Sequence, residues 1–180
     1  MNPIFKIMMN NILDLDLGSF DSDDEEDESL EYKFLIFSLD SRDYGISVGY
    51  VTEIIGLQEI SEIPEVPDYI RGVMTLRNRV IPILDIRKRF SLDHKEDNER
   101  TCLVVLQIKD ISLALVVDAV KEVLTVDPAA IEPAPQFGEA DSDRFISSLV
   151  KIQGRVKILI DVNKLLRDDE LEKINKITNT

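Results

Sequence analysis

An all-β fold made of two small barrels is what this sequence predicts, and three observations predict it. Short runs of β-branched, aliphatic and aromatic residues recur at close spacing along the chain. Polar or proline-bearing breaks separate them, the punctuation of sandwiches and barrels. The series of runs and breaks also occurs twice, in the same order.

The elements follow from local signals. Tyr32–Leu39 is rich in aromatic and aliphatic residues, and Tyr44–Val48 follows an Asp40-Ser41-Arg42-Asp43 turn. Thr101–Ile108 and Ile111–Val117 are parted by the tight-turn dipeptide Lys109-Asp110. Val80–Leu84 and Val156–Ile160 are preceded by the turn pairs Arg77-Asn78 and Gln153-Gly154. Breaks fall at Ser61–Asp68, Ser91–Arg100 and Glu132–Asp143. Helix is slight. Asp85 and Asp161 are each placed to cap a short helix (Ile86–Phe90, Val162–Leu166), and Asp168–Lys176 reads as one more.

The repeat is specific in its polar positions. Leu76-Arg77-Asn78-Arg79-Val80 lies over Ile152-Gln153-Gly154-Arg155-Val156, and without a gap Ile83-Leu84-Asp85-Ile86 meets Leu159-Ile160-Asp161-Val162. Upstream, Tyr44–Val48 overlays Leu113–Val117, and Val51-Thr52-Glu53-Ile54-Ile55 overlays Val120-Lys121-Glu122-Val123-Leu124. Each half thus holds about five strands, which suits a small closed barrel. The halves differ at Arg77 against Gln153, Gly72 against Ser148 and Pro82 against Ile158. A residue present in one copy need not serve the fold. Arg77 therefore reads as a recognition arginine at a hairpin tip, oriented by a carboxylate such as Glu53, and equally as a solvated turn residue.

Composition removes most enzyme classes. The 180 residues contain one cysteine and one histidine, too few for a disulfide framework, a four-thiolate zinc site or a His-pair metal site. His94 lies in a polar loop and reads as solvated, and Cys102 opens an apolar strand and reads as a small buried hydrophobe. Seven glycines form no phosphate-cradling loop, so neither a cofactor nor a metal is expected. The net charge of −14 opposes nucleic acid and anionic membranes, and there is no tryptophan to serve as a stacking platform. No apolar run approaches the roughly 18 residues of a membrane span.

Charge also divides the chain. Residues 1–30 hold nine acids and one lysine, a net −8 that leaves −6 for the rest. The block Asp21–Glu28 repels itself, so residues 1–30 read as a disordered acidic arm. The opening MNPIFKIMMNNIL is apolar, but asparagines and then acids interrupt it before a signal-peptide core can form. A cytoplasmic location is the expectation.

The run Tyr69-Ile70-Arg71-Gly72-Val73-Met74-Thr75-Leu76-Arg77-Asn78-Arg79-Val80-Ile81-Pro82-Ile83-Leu84-Asp85-Ile86 closely resembles the signature of the CheW family of bacterial chemotaxis coupling proteins. Tyr44-Gly45-Ile46, Val51–Ile55, Pro64–Pro67, Val116-Val117-Asp118 and Ile131–Pro135 follow the same pattern. The resemblance covers roughly residues 31–167. It implies two intertwined five-stranded SH3-like barrels, the first at about residues 31–90 and the second at about 100–166, with 168–180 a C-terminal helix or tail. It implies a non-catalytic adaptor with two partners, the regulatory domain of the histidine kinase CheA and the cytoplasmic tips of chemoreceptors, recruited to membrane-associated arrays without inserting in the membrane. Glu53 and Arg77 match a salt-bridged pair beside the receptor surface. Val51, Gly72 and Val73 match the groove that takes the receptor tip, and Ala114 and Val123 are the second-half candidates. The kinase contact is implied only by region, at the barrel ends. Two features depart from the pattern: Asn78 stands where the family usually has glycine, and Thr75 where it usually has asparagine. A coupling-like module serving a non-chemotaxis pathway is the alternative, and a small-barrel nucleic-acid binder a more distant one.

Overall fold

The computed structural model describes residues 31–135 and 144–179. The acidic arm read over residues 1–30 lies outside the described residues, as does most of the Glu132–Asp143 break. In order, the strands are β1 (Lys33–Leu39), β2 (Arg42–Ser47), β3 (Val51–Gly56), β4 (Ile70–Leu76) and β5 (Arg79–Asp85), then β6 (Cys102–Ile108), β7 (Ile111–Val117), β8 (Ala119–Thr125), β9 (Ile131–Pro133), β10 (Ile146–Ile152) and β11 (Arg155–Ile160). A one-turn helix α1 (Ile86–Arg89) follows β5, and helix α2 (Asp168–Thr178) follows β11. Both expected aspartate caps are present. Asp85 accepts from the backbone N–H of Arg87 and Lys88, and Asp161 from that of Asn163.

The strands form two sheets, ordered β8-β1-β2-β11-β10-β9 and β3-β6-β7-β5-β4. Each therefore mixes the halves: the first two strands of one half sit among the later strands of the other. The expectation of a barrel at 31–90 and another at 100–166 is corrected accordingly, because neither sheet is one contiguous half. The chain crosses between sheets after β2 and again after β7.

Register proves the duplication strand by strand. The parallel junction pairs Ile83 with Ala114 in one sheet and Leu159 with Gly45 in the other, which are repeat-equivalent pairs. The β3–β6 ladder slips between Val51 and Glu53, and the β1–β8 ladder at the equivalent place, leaving Thr52 and Lys121 as matched bulges. A second slip recurs at Ile70/Gly72 and Ile146/Ser148. The strand β9, which runs from Ile131 into the stretch read as a break from Glu132, is where the halves differ: its counterpart is a lone bridge from Ser61 to Val73.

Alternation of side chains divides the interior into three. The large central core takes Leu35, Phe37 and Ile46 from one sheet and Val104, Leu106 and Leu115 from the other. Two smaller cores lie on the opposite faces, one around Ile83, Val105 and Ala114, the other around Val126, Val150 and Leu159. A chain of rings, Phe37–Tyr44–Phe90–Phe145, runs through the central core at centroid spacings of 5.6–6.0 Å and ties the halves together.

Candidate functional site

The β4–β5 hairpin turns on Arg77 and Asn78, both left-handed at φ 50° and 63°. A two-residue turn of that kind matches the twist of the flanking strands and asks for asparagine or glycine at its second position. Asn78 meets that requirement in place of glycine. Arg77, at the first position, is thrust away from the sheet.

Its Nη2 donates to Glu53 Oε2 at 2.7 Å. The partners are unequal: the arginine side chain is 79% exposed and the glutamate 9%. Glu53 stands on β3 and Arg77 at the end of β4, the two outermost strands of their sheet. The ion pair thus joins opposite edges, and Ile55 and Met74 join them again in the small core beneath, so the sheet is rolled. The result is a cation held in one orientation by a buried carboxylate, with most of its fork facing solvent. Such a group recognises a carboxylate or a carbonyl edge on a partner.

The other expected site residues divide into floor and rim. Ala114 is wholly buried in the small core and Val51 lies in the central core, so neither offers contact surface as the chain stands. Val123, on β8 in the other sheet, is half-buried and packs against the central core, the cluster that holds Val51. Val73 is half-buried on β4. Gly72 is buried with φ 149°, and a Cβ there would stand 2.3 Å from the Ser61 carbonyl oxygen. Its glycine is required by the close approach of Ser61, which exchanges two backbone hydrogen bonds with Val73. Gly72 is thus a one-copy residue that does serve the fold.

Sequence reasoning missed two features. The first is a buried ion triad in which Asp43 accepts from Lys121 at 2.5 Å and from Lys157 at 2.6 Å. Burial pushes the Asp43 carboxyl up, but the hydrogen bonds and charges of the two lysines outweigh it and hold the group below the usual carboxylate range. The sequence reads Asp43 as part of a turn, but the turn is only Asp40-Ser41, and Asp43 stands on β2 opposite Lys157 on β11. The second is a cleft of about 690 Å³ between the 63–67 loop, the β4–β5 hairpin and α2. Tyr69 and Arg89 both bond Glu170 at the start of α2, and Arg89 also stacks on the Tyr69 and Phe145 rings. Burial first, then Glu170, pushes the Tyr69 hydroxyl far above its ordinary value. The spacing of Leu171, Ile174 and Ile177 was the available signal that α2 has one apolar face. Cys102 is buried, and burial pushes its thiol up to about 11, which makes it a poor nucleophile at neutral pH.

Comparison with known proteins bears on this arrangement. A CheW-like domain is matched over residues 33–170. The chain is 33% identical over 153 residues to the chemotaxis protein CheW of Klebsiella aerogenes, covering 85% of this chain and 92% of that protein. It is 35% identical over 134 residues to CheW of Bacillus subtilis, covering 74% and 86%. The crystal structure of the scaffolding protein TtCheW from Thermoanaerobacter tengcongensis superposes with a TM-score of 0.71 at 29% identity, covering 77% of this chain and 90% of that one.

Proposed function

The chain belongs to the CheW-like family, and from that premise we propose that it is a non-catalytic adaptor that holds the cytoplasmic tips of chemoreceptors and the histidine kinase CheA in one signalling array. The observation that carries the reading is the Arg77–Glu53 pair. It fixes an exposed recognition group at the tip of one hairpin, and the equivalent hairpin carries Gln153 instead. A partner docking there meets the guanidinium first, with Val73 at the rim and the buried Val51, Gly72 and Ala114 forming the wall that shapes the surface. Val123 contributes from the other sheet.

The kinase contact belongs at the sheet ends. Val80 and Val156, repeat-equivalent and next to the two hairpin turns, are the exposed large hydrophobic residues among the described ones. A matched apolar residue on each hairpin suits a partner of similar duplicated build. No described helix is long and apolar enough to cross a membrane, and recruitment to receptor arrays from the cytoplasm follows from the adaptor role. The test is co-sedimentation of the full chain with receptor-bearing membranes, with and without CheA. Retention by receptors alone, strengthened by CheA, is expected; no retention in either case refutes the assignment.

A further inference from the structure

The two long hairpins and the strands that seat them are near copies of each other. The β4–β5 hairpin lies against β7 through a parallel junction, and β10–β11 lies against β2 through the equivalent one. The seating strands have no choice of sheet. β7 passes to β8 through Asp118 alone. One residue spans at most roughly 7 Å, less than the roughly 10 Å of two strand spacings that would return β8 to the far edge of β6. β8 therefore takes the edge of β1, and β3 is left with β6. The hairpins hang on longer segments, 57–69 and 86–101 around β4–β5 and 126–145 before β10–β11. Extended, each spans roughly 40 Å or more, enough to cross a domain whose radius of gyration is about 14 Å. Either hairpin can thus reach either seat, and the repeated apolar pattern suits both.

One set of buried charges tells the seats apart. Asp43 on β2 and Lys121 on β8 belong to a seat, and Lys157 on β11 belongs to the hairpin that occupies it. Their repeat equivalents are Ser112, Thr52 and Ile81. Were the hairpins exchanged, Asp43 would face Ile81, and Lys157 would face Ser112 and Thr52. The Lys157 side chain is 8% exposed and that of Asp43 4%, so exchange would enclose a lysine with no carboxylate. A buried charge left without its partner disfavours an arrangement by roughly 10²–10³-fold. The Arg77–Glu53 pair distinguishes the seats little. Exchange would bring Gln153, still a donor, to Glu53, and would bring Arg77 to Glu122, the repeat equivalent of Glu53.

We propose that the Asp43–Lys157 pair, seconded by Lys121, selects which hairpin closes which barrel, so that these charges specify the topology rather than supply net stability. The best-attested role of an enclosed polar group is such a choice of register or partner, because only one arrangement pairs it. The same selection fixes the barrel on which Arg77 stands, since Arg77 travels with the β4–β5 hairpin.

The test follows the Ala114 methyl group by NMR in the full chain after refolding from denaturant. Ala114 is the register partner of Ile83 in the observed seating. With the hairpins exchanged its partner would be Leu159, the repeat equivalent of Ile83. The wild type is expected to show one Ala114 methyl resonance, with a nuclear Overhauser contact to Ile83. Asp43→Ser, Lys121→Thr and Lys157→Ile together give this barrel the residues of the other. That variant is expected to add a second resonance in contact with Leu159, at about a tenth or more of the total. Adding Thr52→Lys, Ile81→Lys and Ser112→Asp rebuilds the triad in the other barrel, and is expected to restore the single resonance in contact with Ile83. Asp43→Asn with Lys157→Met serves as a milder neutral variant. A resonance in contact with Ile83 alone, in every neutral variant that folds, overturns the proposal. So does loss of folding in both neutral variants, since the charges would then hold the fold up rather than choose between its arrangements.

Discussion

Arg77→Ala separates recognition from folding, because the structure puts the two partners of its ion pair in different media. The substitution leaves the turn intact: alanine carries the same Cβ through the left-handed φ of 50° that arginine already tolerates. What is lost is a donor at 2.7 Å to a carboxylate whose side chain is only 9% exposed. An exposed pair alone would contribute at most about 1 kcal/mol. Because the stranded partner is the buried one, the loss sits at the upper end, about 1 kcal/mol, or roughly 3 °C in Tm for a domain of this size. Glu53→Gln removes the buried charge and leaves a solvated arginine, so it should cost less stability than Arg77→Ala. Receptor binding should respond in the opposite proportion. Loss of an anchoring arginine weakens an interface by about 1–3 kcal/mol, a five- to 150-fold rise in Kd. Arg77→Lys restores part of it, since an ammonium cannot reproduce a planar fork. Titration calorimetry of each variant against a receptor tip and, separately, against the CheA regulatory domain measures this after circular dichroism confirms folding. Gln153→Ala is the internal control at the equivalent hairpin. Equal loss from Arg77→Ala and Gln153→Ala, or loss confined to CheA, refutes the placement of the receptor surface.

Four further outcomes follow from three buried residues, Asp43, Gly72 and Cys102. Asp43→Ala strands Lys157 at 8% exposure and should cost about 3–5 kcal/mol, read as a fall of about 10 °C in Tm, with Lys157→Met in the same chain recovering much of it. Since the folded Asp43 carboxyl titrates below its unfolded value of about 3.9, its contribution is present above that pH and fades as pH falls through the folded value; the stability gap between the wild type and Asp43→Asn should therefore close in acid. Gly72→Ala forces a methyl group into the Ser61 carbonyl and should lower denaturant stability by about 1–3 kcal/mol, whereas Ser148→Gly, its counterpart, should cost under about 1 kcal/mol. Iodoacetamide at neutral pH should leave Cys102 unmodified in the native chain and alkylate it fully in denaturant; rapid native labelling would mean the thiol is neither buried nor protonated.

What could be read in the sequence was whatever local chemistry decides. Alternating apolar residues and turn pairs located six of the eleven strands, β1, β2, β5, β6, β7 and β11, to within two residues, and the repeat marked the segments of β3 and β8 and the hairpin partners β4 and β10 without bounds, because strand and turn signals act over a few positions. The aspartate caps were visible for the same reason. The strand β9 was not, since Ile131-Glu132-Pro133 is too short to show a period and ends in a proline that usually argues against pairing. Contacts between distant segments were legible only through the repeat or the family pattern. Glu53 and Arg77 were singled out that way, whereas Asp43, Lys121 and Lys157, each unremarkable in its own strand, became a triad only once β8, β2 and β11 shared a sheet.

The duplication itself needs a finer rule than the one the sequence suggested. The repeat's shared features, the two bulges, the parallel junction and the capping aspartates, are the frame. Features found in one copy fall into two kinds, and burial sorts them. Asp43 with its lysines faces Ser112, Thr52 and Ile81 in the other copy, and Gly72 faces Ser148. All of these one-sided residues except the exposed head of Lys121 are enclosed by the fold, and each answers a local packing demand: a charge to be paired, or a backbone to be let past. Arg77 alone among the one-sided site residues turns most of its surface to water while its partner stays buried. A fold gains little from holding a solvated guanidinium in one orientation, because the exposed half of such a pair is worth so little to stability. The orientation has value only to something that arrives from outside. Asymmetry between repeats therefore marks specialisation, and asymmetry combined with exposure marks the partner-facing surface.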